Sequence, residues 1–226
     1  MAAAPPTLEW ERELAGQGYT LVAGCDEVGR GALAGPVSVG VVVINAATAS
    51  ELAGVKDSKL LREPVRQALV PAIAHWAAAH AVGHATAAEI DAVGLVSALR
   101  LAGTRALAAV AAELIPDFVI LDGNQDWLSA PVQADLGFFG DGCAERLAAD
   151  PWRIQTRIKA DMTCLSVAAA SVLAKVERDS MMVALAQDFP QFGWEGNKGY
   201  GTAAHREAIG AHGATDFHRK TWRLVP

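Results

Sequence analysis

Apolar and polar residues follow two rhythms along this chain. Dense apolar runs at 19–25 and 36–44 read as buried strands; in the second, Val37, Val39, Val41 and Val43 alternate with small residues before the run becomes continuous. Residues 76–85 repeat at every second position through Trp76, Ala78, His80, Val82 and His84, which favours a third strand over a helix. Residues 117–121 and 152–158 read as two more. The slower rhythm predicts helices. Residues 8–14 suit a short helix lying over the core, and Pro64 opens another that Pro71 should kink or end. Residues 89–114 have apolar positions at helical spacing and stop before Pro116, so one long helix should feed directly into the strand at 117. Asp161 stands where a helix N-cap would stand, ahead of an apolar run through Ala168, Ala169 and Ala170 to Met182, and a last helix is predicted over 203–211.

Strands interleaved with helices indicate an α/β fold. We expect one domain over residues 1–226, with residues 1–7 lacking order and the segment from about 190 to 226 forming a C-terminal substrate-binding extension. Residues 125–150 carry mixed loop signals, with Pro131, Gly137, Gly140 and Asp141-Gly142 beside exposed-looking Phe138 and Phe139.

Composition narrows the function classes. With 226 residues, 52% of them apolar, the chain can bury a sizeable core. Its formal charge of -6 is unlike that of a purely electrostatic nucleic-acid binder, so the distribution of charge matters more than the total. Residues 1–152 hold 9 Lys and Arg against 18 Asp and Glu, whereas residues 153–226 hold 10 against 7. Acids and bases are thus segregated along the chain. The three cysteines, Cys25, Cys143 and Cys164, form no CxxC pair, which fits a reducing compartment without a disulfide framework. The start lacks the pattern of a signal peptide, and no apolar run is long and charge-free enough to span a bilayer. A cytoplasmic location with no membrane partner is expected.

The chemistry centres on Gly24-Cys25-Asp26-Glu27-Val28-Gly29-Arg30-Gly31, where two adjacent acids precede a glycine-bracketed arginine. Asp122 ends a buried strand, where open α/β sheets place ligands, and Asp161 lies at a strand-to-helix junction. Taken singly, Asp122 could be a turn residue and Asp161 a helix cap. Brought to one sheet edge with Asp26 and Glu27, they would repel: two unit charges ~4 Å apart cost about 4 kcal/mol at an effective dielectric near 20. A divalent cation removes that repulsion, and oxygen-only ligands select Mg²⁺ or Mn²⁺ over zinc. Asp26 is the expected central ligand. Because neighbouring strand residues point to opposite faces, Glu27 should either lie just past the strand or contribute through its backbone carbonyl. Gly29 and Gly31 permit close backbone approach and leave Arg30 and exposed N–H groups free to meet a phosphate or a sugar hydroxyl. Pro36 and an apolar run follow Gly35 where a dinucleotide fingerprint needs a helix, and no Gly-Lys-Ser/Thr triplet is present. His80 and His84 lack a third ligand and read as structural.

These residues carry a family resemblance. The chain is similar to bacterial ribonuclease HII, the type 2 ribonuclease H, over about residues 8–213. The likeness rests on the Gly24–Gly31 stretch, Asp57-Ser58-Lys59, Leu121-Asp122-Gly123-Asn124, Lys159-Ala160-Asp161, residues 168–179 and Asn197-Lys198-Gly199-Tyr200-Gly201-Thr202. It implies a ribonuclease H-like mixed sheet flanked by helices, with a small helical C-terminal part. It also implies cleavage of the RNA strand of RNA/DNA hybrids and incision at single ribonucleotides in duplex DNA. Asp26, Glu27, Asp122 and Asp161 match the four catalytic, metal-holding acids. Gly29, Arg30 and Gly31 match the segment that senses the ribose 2′-hydroxyl, and Tyr200 matches the tyrosine that packs on the sugar. A 2′-hydroxyl both donates and accepts, so backbone groups at close approach could read it. Lys59, Lys159 and Lys198 are further candidates for substrate phosphates, as is Lys175, although Lys175 and Arg178 could equally form a solvated helix face.

The likeness departs at Ala160, where many relatives carry glycine, and in the length of the stretch between Asp122 and Asp161. Two other readings stay open from sequence: a catalytically idle hybrid-binding module, and a ribonuclease H-like nuclease acting on another DNA substrate. A replication clamp is a candidate partner, and the chain is expected to act as a monomer.

Overall fold

The computed structural model describes residues 4–129 and 153–225. Five strands, β1 (Leu21–Val28), β2 (Val37–Asn45), β3 (Ala79–Ala85), β4 (Phe118–Asp122) and β5 (Arg153–Arg157), form one sheet in the order β3-β2-β1-β4-β5. β1 pairs antiparallel with β2, and β2 with β3, while β4 runs parallel to both β1 and β5. The sheet is therefore mixed, as expected. The helices are α1 (Glu9–Gly16), α2 (Glu63–Trp76), α3 (Ala87–Val93), α4 (Leu95–Ala111), α5 (Ala160–Thr163), α6 (Leu165–Asp188), α7 (Trp194–Asn197) and α8 (Ala203–His212).

Two helices cover the two faces. On one face α4 brings Leu99, Ala102, Ala106 and Leu107 against Val39, Val41 and Val43. On the other, α6 lays Leu165, Ala168, Ala169 and Ala170 against Val42 and Ile44. Each fully buried Val, Leu or Ile here contributes about 1.5–3 kcal/mol relative to exposure. The alanines and two strand glycines let α6 sit directly on the sheet. A Cβ on Gly24 would stand 2.3 Å from the Ser166 backbone, and one on Gly40 2.4 Å from the Ala170 carbonyl oxygen. That close approach fixes the height of α6 above Asp26, whose side chain leaves the same face of β1 as Gly24.

Four expectations are corrected. Helix α2 runs through Pro71 instead of ending there. Pro71 and Gln67, whose carbonyl loses its helical partner, are both exposed, so water can serve that group while Ile73 anchors the buried side. The single helix expected over 89–114 is two. Gly94, at φ 79°, breaks it, and a Thr86–Glu89 capping box starts the first piece earlier than Glu89. Of residues 1–7, expected to lack order, Thr7 is tied down: its N–H donates to the Thr163 carbonyl at 3.2 Å and its carbonyl accepts from the Leu165 N–H at 3.0 Å. Strand β1 continues past residue 25 to Val28, because its antiparallel ladder with β2 persists to the Val28–Ser38 pair. The readings made at Pro131, Phe138, Phe139 and Gly142 lie outside the described residues, as does Trp152 at the start of the fifth strand.

Beyond α6 the chain builds a small core of its own, in which Phe192, Trp194 and Ile209 pack on Leu33, Ala34 and Met182. No described helix is long and apolar enough to cross a membrane.

Candidate active site

The four acids reach one sheet edge from three separate stretches of chain. Asp26 and Glu27 lie in the last turn-ward residues of β1, and Asp122 ends β4. The β1–β4 ladder stops at the Cys25–Leu121 pair, so beyond it β1 has a partner on one side only. Glu27 therefore lies inside the strand, which removes the first alternative for it, yet its carboxylate still stands near enough to act on Asp26 and Asp122.

Asp161 is not the N-cap it resembled. Lys159, in the left-handed region at φ 59°, occupies that position, and Asp161 lies inside α5. The capping is done across the fold: Asp122 Oδ1 accepts the N–H groups of Ala160 at 2.7 Å and Asp161 at 3.3 Å. With its own backbone donor satisfied by Asp122, the Asp161 carboxylate is left to face the other acids.

The electrostatics record this crowding. Burial raises Asp26 well above the usual carboxylate range, and Glu27 and Asp122 push it further; Ser171 and Lys59 oppose the rise. Asp26 is only 4% exposed. Burial likewise raises Asp122, opposed by its two backbone hydrogen bonds, and raises Asp161, aided by Asp122 and Asp57. Lys59 stands among them, 3.4 Å from Asp161 and 3.9 Å from Asp57. Burial alone would lower its ammonium, but Asp57, Asp26 and Asp161 outweigh that and hold it above the ordinary lysine value. The acids interact at electrostatic range, and among the described residues no three Asp, Glu, His or Cys side chains form a ready coordination cluster.

The donors nonetheless suit a hard divalent cation. They are all carboxylate oxygens, three of them are raised by burial and mutual repulsion, and Glu27 Oε2 is buried without a hydrogen-bond partner among the described residues. An added positive charge would relieve both conditions.

Beside the acids lies the glycine loop. Gly29 has φ 87°, and an added Cβ would meet the Arg178 side chain at 2.2 Å, so only glycine fits there. Arg30 is exposed and pairs with Glu27 Oε1 at 2.9 Å. Tyr200 is brought to the same loop by backbone pairing of Ala32 with Tyr200, with Leu33 and Ala34 both donating to the Gly199 carbonyl. Arg178 lies 5.5 Å and the Lys175 ammonium 5.8 Å from the Tyr200 ring centroid. Arg178 is fully buried, not part of a solvated helix face, because its donors are consumed by the carbonyls of Ala34, Pro36 and Lys198. Lys175 is held by Asp179 at 2.9 Å. Lys159 is exposed, whereas Lys198 is nearly buried and turned to the Glu195 carbonyl, with Glu63 3.8 Å away.

Several residues received no role at the site from the sequence, although Asp57, Ser58 and Ser171 lie within the motifs quoted from it. Asp57, 7% exposed, caps the turn that carries Lys59, and Ser58 and Ser171 share a hydroxyl hydrogen bond of 2.7 Å behind Asp26. A lone serine inside the alanine run was the available signal for Ser171. Arg219, fully buried beyond the last predicted helix, had none.

Known proteins resemble this chain over most of its length. The model of the family described as Ribonuclease HII matches residues 23–225. A ribonuclease HII of Streptomyces avermitilis is 42% identical over 98% of this chain and 85% of its own length. The crystal structure of ribonuclease H2 from Pyrococcus horikoshii is similar at a TM-score of 0.67 and 28% identity, covering 90% of this chain and 94% of that one. The RNase HII of Archaeoglobus fulgidus, solved as a complex with PCNA, is similar at a TM-score of 0.65 and 25% identity, covering 91% and 95%.

Proposed function

Because the chain belongs to the ribonuclease HII family and is a metal-dependent ribonuclease, a hydrolase, we propose that it cuts the RNA strand of RNA/DNA hybrids and incises duplex DNA 5′ of single embedded ribonucleotides. The observation that carries this reading is the meeting of Asp26, Glu27, Asp122 and Asp161 beside a loop and an aromatic ring suited to a sugar. Asp26, Glu27, Asp122 and Asp161 would hold Mg²⁺ or Mn²⁺. Bound there, a pair of such ions would supply Lewis acidity, acidifying the attacking water and neutralising charge on the phosphate oxygens.

The protein's own groups supply the rest. Asp122 fixes the start of α5 through two N–H groups and so orients Asp161. The N–H groups at Arg30 and Gly31 meet the 2′-hydroxyl, and the Tyr200 ring packs on the neighbouring sugar, where a second hydroxyl would be excluded. Lys59 and Arg30, both exposed cations, take the flanking phosphates, with Lys159, Lys175 and Lys198 as weaker contacts. Water attacks the phosphate 5′ of the ribonucleotide in line and the bond to the 3′-oxygen breaks, leaving 3′-hydroxyl and 5′-phosphate ends.

Purified protein with Mg²⁺ should nick a duplex bearing one ribonucleotide and leave the all-deoxy duplex whole. Binding of the ribonucleotide duplex without incision would overturn the reading. A sliding clamp is proposed as a partner on the precedent of the Archaeoglobus complex, with the chain itself a monomer in the cytoplasm. Gel filtration with and without a clamp tests both parts of that assembly.

A further inference from the structure

The chain's last described residues do more than close the small C-terminal core. Residues 32–35 form a middle rung between two segments. On one side they pair with Gly199 and Tyr200; on the other the Gly35 N–H donates to the Phe217 carbonyl at 2.8 Å and the Arg219 N–H to the Leu33 carbonyl at 2.9 Å, around an Ala34–His218 bridge.

The two side chains at the end of that rung diverge. Arg219 is fully buried and spends its guanidinium on backbone carbonyls: Gly29 at 2.6 Å, Arg30 at 2.8 Å and Gly35 at 3.3 Å. In a planar trans peptide the C=O and the following N–H point in opposite directions. Drawing the Gly29 and Arg30 carbonyls inward to Arg219 therefore turns the N–H groups of Arg30 and Gly31 outward. Those are the two donors assigned to the 2′-hydroxyl.

His218, 1% exposed, runs the other way. Its Nδ1 accepts the Thr215 N–H at 3.0 Å, which leaves the proton on Nε2. His205 Nδ1 is 2.9 Å from the Tyr200 carbonyl oxygen, which can only accept, so His205 carries its proton on Nδ1. Its single Nε2 lone pair is then shared by the Trp194 Nε1–H at 3.0 Å and the His218 Nε2–H at 3.2 Å. Both tautomers are fixed, and the chain of donors runs from His218 through His205 to the backbone of Tyr200.

We propose that the dipeptide His218-Arg219 is a positioning clasp for the sugar-reading pocket, with Arg219 aiming the Gly29–Gly31 backbone and His218 holding the Tyr200 wall through His205. The inference rests on the reading of that pocket as the 2′-hydroxyl sensor. Neither residue touches the acids or the substrate. The clasp governs how tightly a ribonucleotide is recognised and leaves the hydrolytic step alone.

The test compares full-length wild type with Arg219→Lys, His218→Leu and His218→Gln, in Mg²⁺, on a duplex with one ribonucleotide. The KM is set against the inhibition constant of the all-deoxy duplex, and folding is checked by melting. Arg219→Lys and His218→Leu should raise KM about tenfold with kcat within about twofold and the deoxy inhibition constant unchanged. His218→Gln, whose amide N–H can replace Nε2–H, should restore most of the lost discrimination. Folded variants that keep the wild-type ratio, or that lose kcat along with KM without rescue by glutamine, overturn the clasp. If His218→Leu does not fold, Arg219→Lys, which keeps the buried charge, decides the matter. A wild type that cannot tell the two duplexes apart overturns the sugar-sensor reading itself, a result separate from failure of the clasp alone.

Discussion

The acid floor and the proposed sugar-reading pocket share one edge of the sheet but hold charge in opposite ways. On the floor, like charges are pressed together by burial, and the carboxyls of Asp26, Asp122 and Asp161 rise as a result. In the pocket, two buried guanidinium groups, Arg178 and Arg219, are met by backbone carbonyls, with no ion pair to a carboxylate among the described residues. The first arrangement stores repulsion that a cation can relieve. The second spends its hydrogen bonds on holding a backbone still. A site that must gain metal ions suits the former, and a site that must read one hydroxyl suits the latter.

The strongest test of this contrast is Asp26→Asn. Removing the central acid should lower incision by about 10²–10³-fold, the scale on which a preorganised electrostatic group is lost. Its melting temperature should stay level or rise, since a crowded, buried carboxylate is removed; a fall of many degrees would mean that Asp26 is structural. Next comes Gly24→Ala. A Cβ there meets the Ser166 backbone at 2.3 Å, so α6 must lift, destabilising the fold by about 3 kcal/mol in a denaturant titration and displacing the floor with it. Gly31→Ala, which meets nothing within 4 Å, should leave stability almost unchanged.

The pocket side should answer to acid. Burial, His205 and Lys220 lower His218 to about 4, and burial also lowers His205, opposed by its bond to the Tyr200 carbonyl. The unfolded chain protonates histidine near pH 6.5, so this contribution to stability is complete above about 6.5 and is lost as the pH falls toward 4. The loss from His218 amounts to about 3 kcal/mol, and His218→Gln should flatten that part of the melting-temperature profile between pH 7 and 4. A smaller effect is expected at Lys59. Because it is exposed, Lys59→Met should lower metal-free stability by no more than about 1 kcal/mol. The added stabilisation on titrating Mg²⁺ should become larger than in wild type, because the acids have lost their internal cation.

Sequence reading was most successful where one residue's environment is set by its near neighbours. The alternation of Val37 to Val43 marked β2, and the apolar run through Ala168, Ala169 and Ala170 to Met182 marked α6. It failed where a distant segment decides. Asp161 has every local mark of a cap, but Asp122, 39 positions away, does the capping. Arg178 carries a charge that its own helix cannot satisfy, and only the distant Ala34, Pro36 and Lys198 carbonyls, which close over it, make its burial possible. Gly94 was legible as a residue but not as a break, since the apolar spacing continues across it.

Local patterning determined the strands and most helices, because side-chain period and turn chemistry act over a few residues, and it put the candidate acids at strand ends and a helix start, where the family resemblance singled them out. Tertiary structure alone decided how those acids share one electrostatic field, and which donors and carbonyls of the 29–36 loop are left for a ligand. Those outcomes depend on partners such as Lys59, Arg178, His218 and Arg219, and the distance along the chain between such partners leaves no periodic trace.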